Sequence, residues 1–344
     1  MSLVASAILA VERAPLPDPV MRLGIRLLID RTRRRLAPAP EAEEIAFAED
    51  MSHFPIALHV SEANEQHYEL PARFFELALG PRQKYSCCYY ENPNASLADA
   101  EVRALAQTVM HADLADGQTI LELGCGWGSL SLYMAAAFPG ARITSVSNSG
   151  SQRLHIEEQA RRRNLRNLQV ITADMNDFFT TERFDRVVSV EMFEHMSNWR
   201  ELLGRIRNWL RPQGRLFIHV FTHRDRPYRF DHADKTDWIA RNFFTGGIMP
   251  SHRLMRRFED LFVIEQEWRW NGLHYQRTAQ HWLANFDANR GEIDCVLAQV
   301  YGPHATLWRK RWRLFFLATA GLFGDNDGDE WGVSHYRLRP AANG

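Results

Sequence analysis

The chain has 344 residues, and its 41 Lys and Arg residues against 42 Asp and Glu residues give a formal net charge of −1. This balance argues against a dedicated nucleic-acid binder, which usually carries a strong basic excess. Hydrophobic residues make up 45% and charged residues 24%, which is typical of a globular protein with one large domain or two smaller ones.

The cysteines and the apolar runs predict the compartment. Cys87, Cys88, Cys125 and Cys295 form neither a CxxC pair nor a zinc-binding spacing. No stretch reaches the roughly 18 apolar residues typical of a transmembrane helix. The early apolar run Leu3–Val11 has no basic residue before it, unlike a secretory signal. We therefore expect a cytoplasmic chain with reduced thiols, no bound metal and no stable membrane insertion.

The first predicted helix, Met21–Leu36, is basic. It combines an apolar side with six arginines, which is compatible with contact to a membrane surface. The simpler interpretation, which we favour, is a helix packed on the body of the protein, because runs of charge usually form solvated faces. Pro38 and Pro40 end this helix, and Glu41–Asp50 is predicted to be an acidic linker or helix.

The middle of the chain alternates between strand-like and helix-like segments. The predicted strands are Gln118–Leu123, Arg142–Val146, Leu168–Thr172, Phe184–Glu191 and Arg215–Phe221. The predicted helices between them are Ser129–Ala137, Gln152–Asn164 and Glu201–Leu210, the last ended by Pro212 and Gly214. Strands that alternate with helices indicate a doubly wound, mostly parallel sheet of the α/β class.

The remaining part is rich in aromatic residues. An aromatic stretch from Tyr228 to Trp270 precedes a long predicted helix from Thr278 to about Tyr301, a helix near Trp308–Leu322 and a last strand, Val333–Leu338. We expect four parts: an N-terminal helical extension (1–80), a ligand-binding core (81–223), a helical and aromatic cap with a sixth strand (224–332) and the last core strand (333–344).

The most specific motif is a glycine loop, Glu122-Leu-Gly124-Cys-Gly126-Trp-Gly128, between a predicted strand and a predicted helix. Ligands of doubly wound sheets bind at the carboxyl ends of the strands, where glycines allow close approach to the backbone. The spacing matches neither the G-x-G-x-x-G of dinucleotide sites nor a P-loop, and the simplest alternative is a tight strand–helix turn. The acidic start suits a positively charged ligand such as S-adenosylmethionine (SAM), which carries an ammonium and a sulfonium and no phosphate.

The ELGCGWGS run resembles motif I of class I SAM-dependent methyltransferases. Further segments resemble the cyclopropane-fatty-acid-synthase-like superfamily and, within it, the coclaurine N-methyltransferase branch. They are His67–Phe75, Lys84–Tyr89 (KYSCCY), Ser147–Gln152 (SNSGSQ), Arg161–Asn164 (RRRN), Val190–Met196 (VEMFEHM), and Phe323-Gly with Glu330–His335 (EWGVSH). The resemblance covers roughly residues 50 to 340. It implies a Rossmann-like, seven-stranded sheet with N-terminal helices and a helical cap insertion.

The resemblance also implies the contacts of SAM and of its product, S-adenosylhomocysteine (SAH), with no metal. Residues that close over the cofactor are matched by Tyr85 and Ser86. The loop on its methionine side is matched by Gly124, Gly126 and Gly128, after Glu122. The ribose and adenine contacts are matched by Ser147, Asn148 and Gln152, and the adenine-side loop by Ala173, Asp174 and Met175. On its own, the Ser147–Gln152 segment is also typical of a helix cap.

A second cluster, Glu191-Met-Phe-Glu194-His195, follows the fourth predicted strand and is therefore expected beside the glycine loop. Methyl transfer from a sulfonium is an in-line displacement, and its acceptor must offer a lone pair. An aliphatic amine is mostly protonated near neutral pH, with a pKa of roughly 10 by analogy with lysine. Glu194 and His195 are predicted to hold the ammonium and take its proton, with Glu191 as a third polar contact. The resemblance implies the same roles.

The alternative is chemistry on an unsaturated fatty-acyl lipid. The cyclopropane synthases that the chain also resembles hold a bicarbonate ion with a Cys, a Glu, a His and a Tyr. Cys87, Glu194 and Tyr275 match three of these positions, and Val220 stands at the fourth. His219 is adjacent, but neighbours in a strand point to opposite faces, so we expect that His219 cannot substitute.

Glu191 is a second difference from the synthases, which carry Gly at this position. Both differences favour methylation of an amine over cyclopropanation, and simple methylation of an unsaturated lipid stays open. A third hypothesis is a protein that binds SAM without turnover. Its expected sequence mark is the loss of Glu194 or His195, and both residues are present.

The aromatic residues of the second half are predicted to form mostly a buried core for the cap. Phe244 and Trp331 lie where the N-methyltransferase branch builds its substrate wall, and Cys87 and Tyr275 are predicted to contact the acceptor as well. A flat aromatic amine would gain cation–π contacts there, and the same lining could accept an acyl chain. We expect an amine or lipid as partner, no nucleic acid, peripheral membrane contact at most, and compatibility with a homodimer.

Overall fold

The computed structural model describes residues 16–36, 40–58, 70–234 and 236–342. Its strands are β1 Thr119–Leu123, β2 Arg142–Ser147, β3 Leu168–Thr172, β4 Phe184–Val190, β5 Leu210–His223, β6 Tyr228–Arg229, β7 Ile248–Met249, β8 Phe262–Asn271 and β9 Trp331–Pro340. Within the described residues the main sheet has seven strands in the order β3-β2-β1-β4-β5-β9-β8, and β6 pairs with β7 separately. In this sheet β9 pairs antiparallel with β5 and β8, and the other neighbouring strands pair in parallel. The predicted doubly wound, mostly parallel α/β sheet is confirmed.

Helices flank the sheet and form a cap beside it. They are α1 Asp18–Arg35, α2 Glu41–Asp50, α3 Ala72–Ala78, α4 Leu97–Ala112, α5 Ser129–Ala137, α6 Gly150–Arg162, α7 Trp199–Trp209, α8 Trp238–Asn242, α9 Leu273–Ala288, α10 Arg290–Tyr301 and α11 Ala305–Phe323. Polar caps set where some of them begin: the Asn198 side chain accepts the Glu201 N–H at 3.0 Å at the start of α7. None of these described helices is long and apolar enough to cross a bilayer.

Apolar side chains of the central strands pack against helices on both faces of the sheet. One face carries Ile120 and Phe217 against residues of α4 and α5. The other face carries Leu121 and Leu216 against residues of α7. A third core lies within the cap, where buried aromatic side chains from α3, α9 and α11 meet, so the prediction that most cap aromatics form a core agrees with the structure. All five residues of β1 are buried, as expected for a strand that is covered on both faces.

Several boundaries differ from the sequence predictions. The helix predicted from Thr278 to Tyr301 is two helices that meet at Asn289, and the acidic segment is a helix. Pro212 and Gly214 lie inside β5, because the pairing with β4 shifts register there and leaves extra residues looped out of the ladder. Residues 67–69 of one family motif, the run 3–11 and Pro38 lie outside the described residues.

Candidate active site

The glycine loop and the Glu191–His195 cluster meet at the point where the strand order reverses. The loop follows β1 and the cluster follows β4, and these strands pair with Leu123 opposite Ser189. A cavity opens at their carboxyl ends, with an empty volume of about 1210 Å³ that includes space open to solvent. Doubly wound sheets bind their ligands in a crevice at this place, outside the carboxyl ends of the strands where the strand order reverses.

The three glycines of the loop have different surroundings. All three have positive φ angles, +79° at Gly124, +52° at Gly126 and +82° at Gly128. A Cβ at Gly124 or Gly128 would lie 2.6 Å from a side-chain atom of Met192 or Ile156, whereas a Cβ at Gly126 would meet no atom within 4 Å. Gly124 and Gly128 therefore allow close packing inside the protein, and Gly126 leaves open the space that a ligand needs.

Several residues on the cavity wall have a buried polar atom with no partner among the described residues, and three of these atoms come from the glycine loop and the segments beside it. They are Ser129 Oγ, Trp127 Nε1 and Gln152 Nε2. The Ser147 hydroxyl donates to Gln152 Oε1 at 2.6 Å, which orients the amide and leaves its Nε2 without a partner. Burying a donor without an acceptor is costly, so these atoms indicate a ligand rich in acceptors. The carboxylate, ribose hydroxyls and adenine nitrogens of SAM meet that requirement.

Glu122 ties the loop to its surroundings. Its Oε2 accepts from Ser131 Oγ at 2.5 Å and from Ser145 Oγ at 2.8 Å. Burial raises the pKa of Glu122 to about 7. These bonds link β1, β2 and the start of α5, which is a structural task. Glu122 also lines the cavity, and its contact with a cationic group of the ligand stays a prediction.

The cavity gathers most of the residues predicted for the cofactor. Those on its wall are Tyr85, Ser86, Glu122, Gly124, Gly126, Ser147, Asn148, Gln152, Ala173, Asp174 and Met175. Gly128 is not on the wall, which agrees with its packing against Ile156. Lys84 and Thr245, for which the sequence predicts no role, line the cavity too. The only sequence signal for Lys84 is its place at the start of the KYSCCY motif.

Glu191 has a backbone conformation that favours glycine and a carboxylate with three partners. Its φ is +48°, a left-handed value that costs a residue with a Cβ roughly 1–2 kcal/mol. The Cys87 N–H donates to Oε1 at 2.8 Å, the Tyr275 hydroxyl donates to Oε2 at 2.7 Å, and His219 Nε2 lies 3.1 Å from Oε1. Such strain persists where the surroundings over-determine it, and it is typical of functional sites.

His219, which we expected not to substitute for the histidine of the synthases, contacts the site through the Glu191 carboxylate. Glu191 directly follows β4, and its N–H donates to the His219 carbonyl at 2.8 Å. The left-handed turn at Glu191 brings its carboxylate to the face of β5 that carries the His219 ring. Val220, as strand geometry requires, points to the other face and is fully buried in the apolar core there.

Lys84 lies close enough to the Glu191 carboxylate for its charge to act on it. Its side chain is buried, and Nζ donates to Ser86 Oγ at 2.5 Å and to the Cys87 carbonyl at 2.7 Å. Burial raises the pKa of Glu191, and the Lys84 charge opposes that rise. Burial and the nearby Glu191 charge raise the pKa of Glu194 well above its usual range. Of the two carboxyl groups, Glu191 therefore has the surroundings that favour the charged form more.

The turn Phe193–His195 places the other two predicted catalytic residues. Burial lowers the pKa of His195 to about 4, so its imidazole is neutral near pH 7. His195 lines the cavity and packs on the Phe244 ring, with 4.4 Å between ring centroids. Glu194 lies behind the wall and is 1% exposed, and its Oε2 has no partner among the described residues.

The structure brings together only some of the residues that were predicted to contact the methyl acceptor. Phe244 contacts His195, and Tyr275 contacts Glu191. Cys87 contributes its backbone N–H, while its thiol faces the Cys88 carbonyl at 3.4 Å. Trp331 is fully buried on β9, with its ring 5.3 Å from that of His223, and it does not line the cavity. No cluster of three or more metal-ligating side chains occurs in the described part of the chain.

Comparison with known proteins identifies the family. The profile of the mycolic acid cyclopropane synthetase family matches residues 58–330. The (S)-coclaurine N-methyltransferase of Thalictrum flavum subsp. glaucum is 33% identical over 343 residues, which span 97% of this chain and 95% of that protein. The cyclopropane-fatty-acyl-phospholipid synthase of Escherichia coli K12 is 27% identical over 271 residues, which span 78% of this chain and 66% of that protein.

A solved structure gives the same result. The crystal structure of a coclaurine N-methyltransferase bound to N-methylheliamine and SAH superposes with a TM-score of 0.94 at 32% identity. The match covers 98% of this chain and 100% of that chain. The expectation of a SAM-dependent enzyme of this superfamily is confirmed. The chain therefore belongs to the mycolic acid cyclopropane synthetase family, and it is a SAM-dependent methyltransferase similar to the coclaurine N-methyltransferases.

Proposed function

We propose that the enzyme transfers the methyl group of SAM to the nitrogen of a small cyclic or aromatic amine. The observation that carries this proposal is the buried Glu191 carboxylate, which three donors hold in a strained backbone position beside a neutral imidazole. A fixed negative charge attracts an ammonium, and a neutral imidazole can accept its proton. The similarity to (S)-coclaurine N-methyltransferase supports the same chemistry.

The cofactor side of the proposal depends on the orphaned donors. Ser129 Oγ, Trp127 Nε1 and Gln152 Nε2 would hold the acceptor groups of SAM, and Gly126 would leave room for it. Bound there, SAM supplies an electrophilic methyl group. Asn148, with Asp174 and Met175, lines the same part of the wall. These contacts fix the cofactor beside Glu191 and His195, and such alignment is worth roughly 7–11 kcal/mol in well-oriented reactions.

The acceptor side must remove a proton before the amine can react. An ammonium that enters this buried site loses hydration, which lowers the pKa of the amine. We infer that His195 accepts the proton and that the Glu191 charge stabilises the resulting imidazolium. Glu194 contributes when it is ionised, and the positive charge of the entering ammonium favours its ionised form. Phe244, packed on His195, would offer its ring face to the cation.

Chemistry on an unsaturated lipid is the second candidate, favoured by the similarity to the Escherichia coli synthase. Cys87, His219 and Tyr275 are residue types that the synthases use around bicarbonate. In this chain all three contact the Glu191 carboxylate, so a bicarbonate ion would have to displace it. This geometry argues against cyclopropanation. The assay below distinguishes methylation of an amine from methylation of a lipid without bicarbonate and from SAM binding without turnover.

The test is a SAM-consumption assay with a panel of cyclic amines and, separately, with vesicles of unsaturated phospholipid. We expect SAH to form with at least one amine, at a rate that is unchanged when bicarbonate is removed. A Glu191→Gln variant should retain SAM binding and lose most of the turnover. Turnover on vesicles with no turnover on any amine would overturn the amine proposal. SAM binding with no turnover on either would favour the non-catalytic alternative.

A further inference from the structure

The helix α1 is firmly attached along one face. A Cβ added to Gly321 of α11 would lie 2.7 Å from Ile25 Cγ2 and 3.3 Å from Ile29 Cδ1, so α1 and α11 pack closely here. Ile29 is 8% exposed. The interpretation of α1 as a helix packed on the body of the protein accounts for this inner face and leaves the opposite face unexplained.

Both acidic residues of α1 are neutralised by arginine. Asp18 pairs with Arg313 of α11 at 2.7 Å, and Asp30 pairs with Arg33 at 3.0 Å. Arg33 also pairs with Asp325 at 3.2 Å, which fixes the end of the helix. The remaining five arginines of α1 are exposed, and they outnumber its two acidic residues. The outward charge of α1 is positive.

The outer face of α1 combines this charge with exposed apolar side chains. Val20, Leu23 and Leu27 are 49%, 57% and 61% exposed, and their spacing places them in one stripe along the helix. The same stripe continues with exposed arginines in the next two turns, and further exposed arginines flank it. These arginines are Arg22, Arg26, Arg31 and Arg34. We use the name outer face for these seven residues.

We infer that the outer face of α1 docks on an anionic phospholipid surface. Leucine and valine side chains enter the boundary between headgroups and acyl chains, and arginines beside them bind lipid phosphates. Charge complementarity selects this partner. A second copy of the chain, docked by the same face, would bring arginines of two helices together and be repelled. The inference goes beyond the proposed function, because α1 contributes no residue to the cavity wall.

The test is co-sedimentation of the full-length enzyme with vesicles of neutral phosphatidylcholine or of phosphatidylcholine with phosphatidylglycerol. We expect at least about tenfold more protein bound to the anionic vesicles, with partial loss at high salt. Leu23→Gln with Leu27→Gln should remove the binding that resists salt. Arg31→Gln with Arg34→Gln, which changes the two arginines within the stripe, should reduce the preference for anionic lipid. The matched control is Leu154→Gln with Phe179→Gln, whose side chains are 62% and 76% exposed on other parts of the surface.

Calorimetry with SAM separates this inference from the proposed function. All three double variants should bind SAM like the wild type, because none of the changed residues lines the cavity. Equal binding to both kinds of vesicle, or wild-type binding by the leucine variant, would overturn the inference. A solution dimer that the leucine variant dissociates would also overturn it and assign the face to a second copy of the chain.

Discussion

The cofactor side and the acceptor side of the cavity are built in different ways. The cofactor side comes from contiguous segments, a loop from β1 into α5 and a loop from β2 into α6, in which glycines and a Ser149 cap set the backbone. The acceptor side comes from four separate segments that meet at one carboxylate, through Cys87, Glu191, His219 and Tyr275. Local patterns therefore identify the first, and only the tertiary structure assembles the second.

A single substitution on the cofactor side should abolish binding of the cofactor. Gly126→Val should abolish binding of SAM and SAH in calorimetry, because its side chain would enter the open space above the loop at a φ of +52°. The control is Gly117→Val, at φ +79° with no atom within 4 Å of its Cβ and no place on the cavity wall. It carries similar backbone strain and should keep SAM binding. Retained SAM affinity in the Gly126 variant would contradict the location of the cofactor.

A substitution on the acceptor side should lower kcat and leave the affinity for SAM unchanged. Glu191→Gly removes the carboxylate and leaves the donors of Cys87 and Tyr275 around a small space. We expect kcat on an amine to fall by about 10²–10⁴-fold, the range of a lost acid–base group. Formate, which can bind the freed donors, should restore at least tenfold of this loss, roughly the effect of one charged hydrogen bond.

Glu191→Gln is the matched control for formate rescue, because its amide still fills the space. Formate should leave the kcat of this variant unchanged. Equal rescue of both variants would show that formate acts elsewhere. No rescue of the Gly variant, with SAM binding intact, would contradict the role of a fixed anion at this position.

Features that depend on local sequence could be predicted, and features that depend on tertiary contacts could not. The bounds of α5 and β3 agree residue for residue with their predictions, because local apolar residues define both and Gly128 marks the start of α5. Strand β8 was not located, since its pairing with β9 shifts register after Ile264 and much of it is exposed, which obscures the alternation typical of strands. The contact between His219 and Glu191 was missed because it depends on the left-handed turn that ends β4.

Lys84 offers a smaller and more specific test of the acceptor side. Its positive charge opposes the rise in the pKa of Glu191 that burial causes, so Lys84→Met should raise this pKa further. The carboxylate would then ionise at higher pH, so the variant should lose more activity at pH 7 than at pH 9. Lys84→Arg should largely restore the wild-type pH profile. An equal loss at both pH values would indicate a purely structural role.

The pH dependence of the His195→Ala variant tests the central claim most directly. Burial lowers the pKa of His195 to about 4, so its ring is neutral and able to accept a proton at both pH 7 and pH 9. The amine, with a pKa of roughly 10 in water, needs that base more at pH 7 than at pH 9. We predict that the variant loses about 10²–10⁴-fold in kcat at pH 7 and clearly less at pH 9, with SAM affinity unchanged. The same loss at both pH values, or a loss that follows SAM affinity, would contradict proton removal by this site.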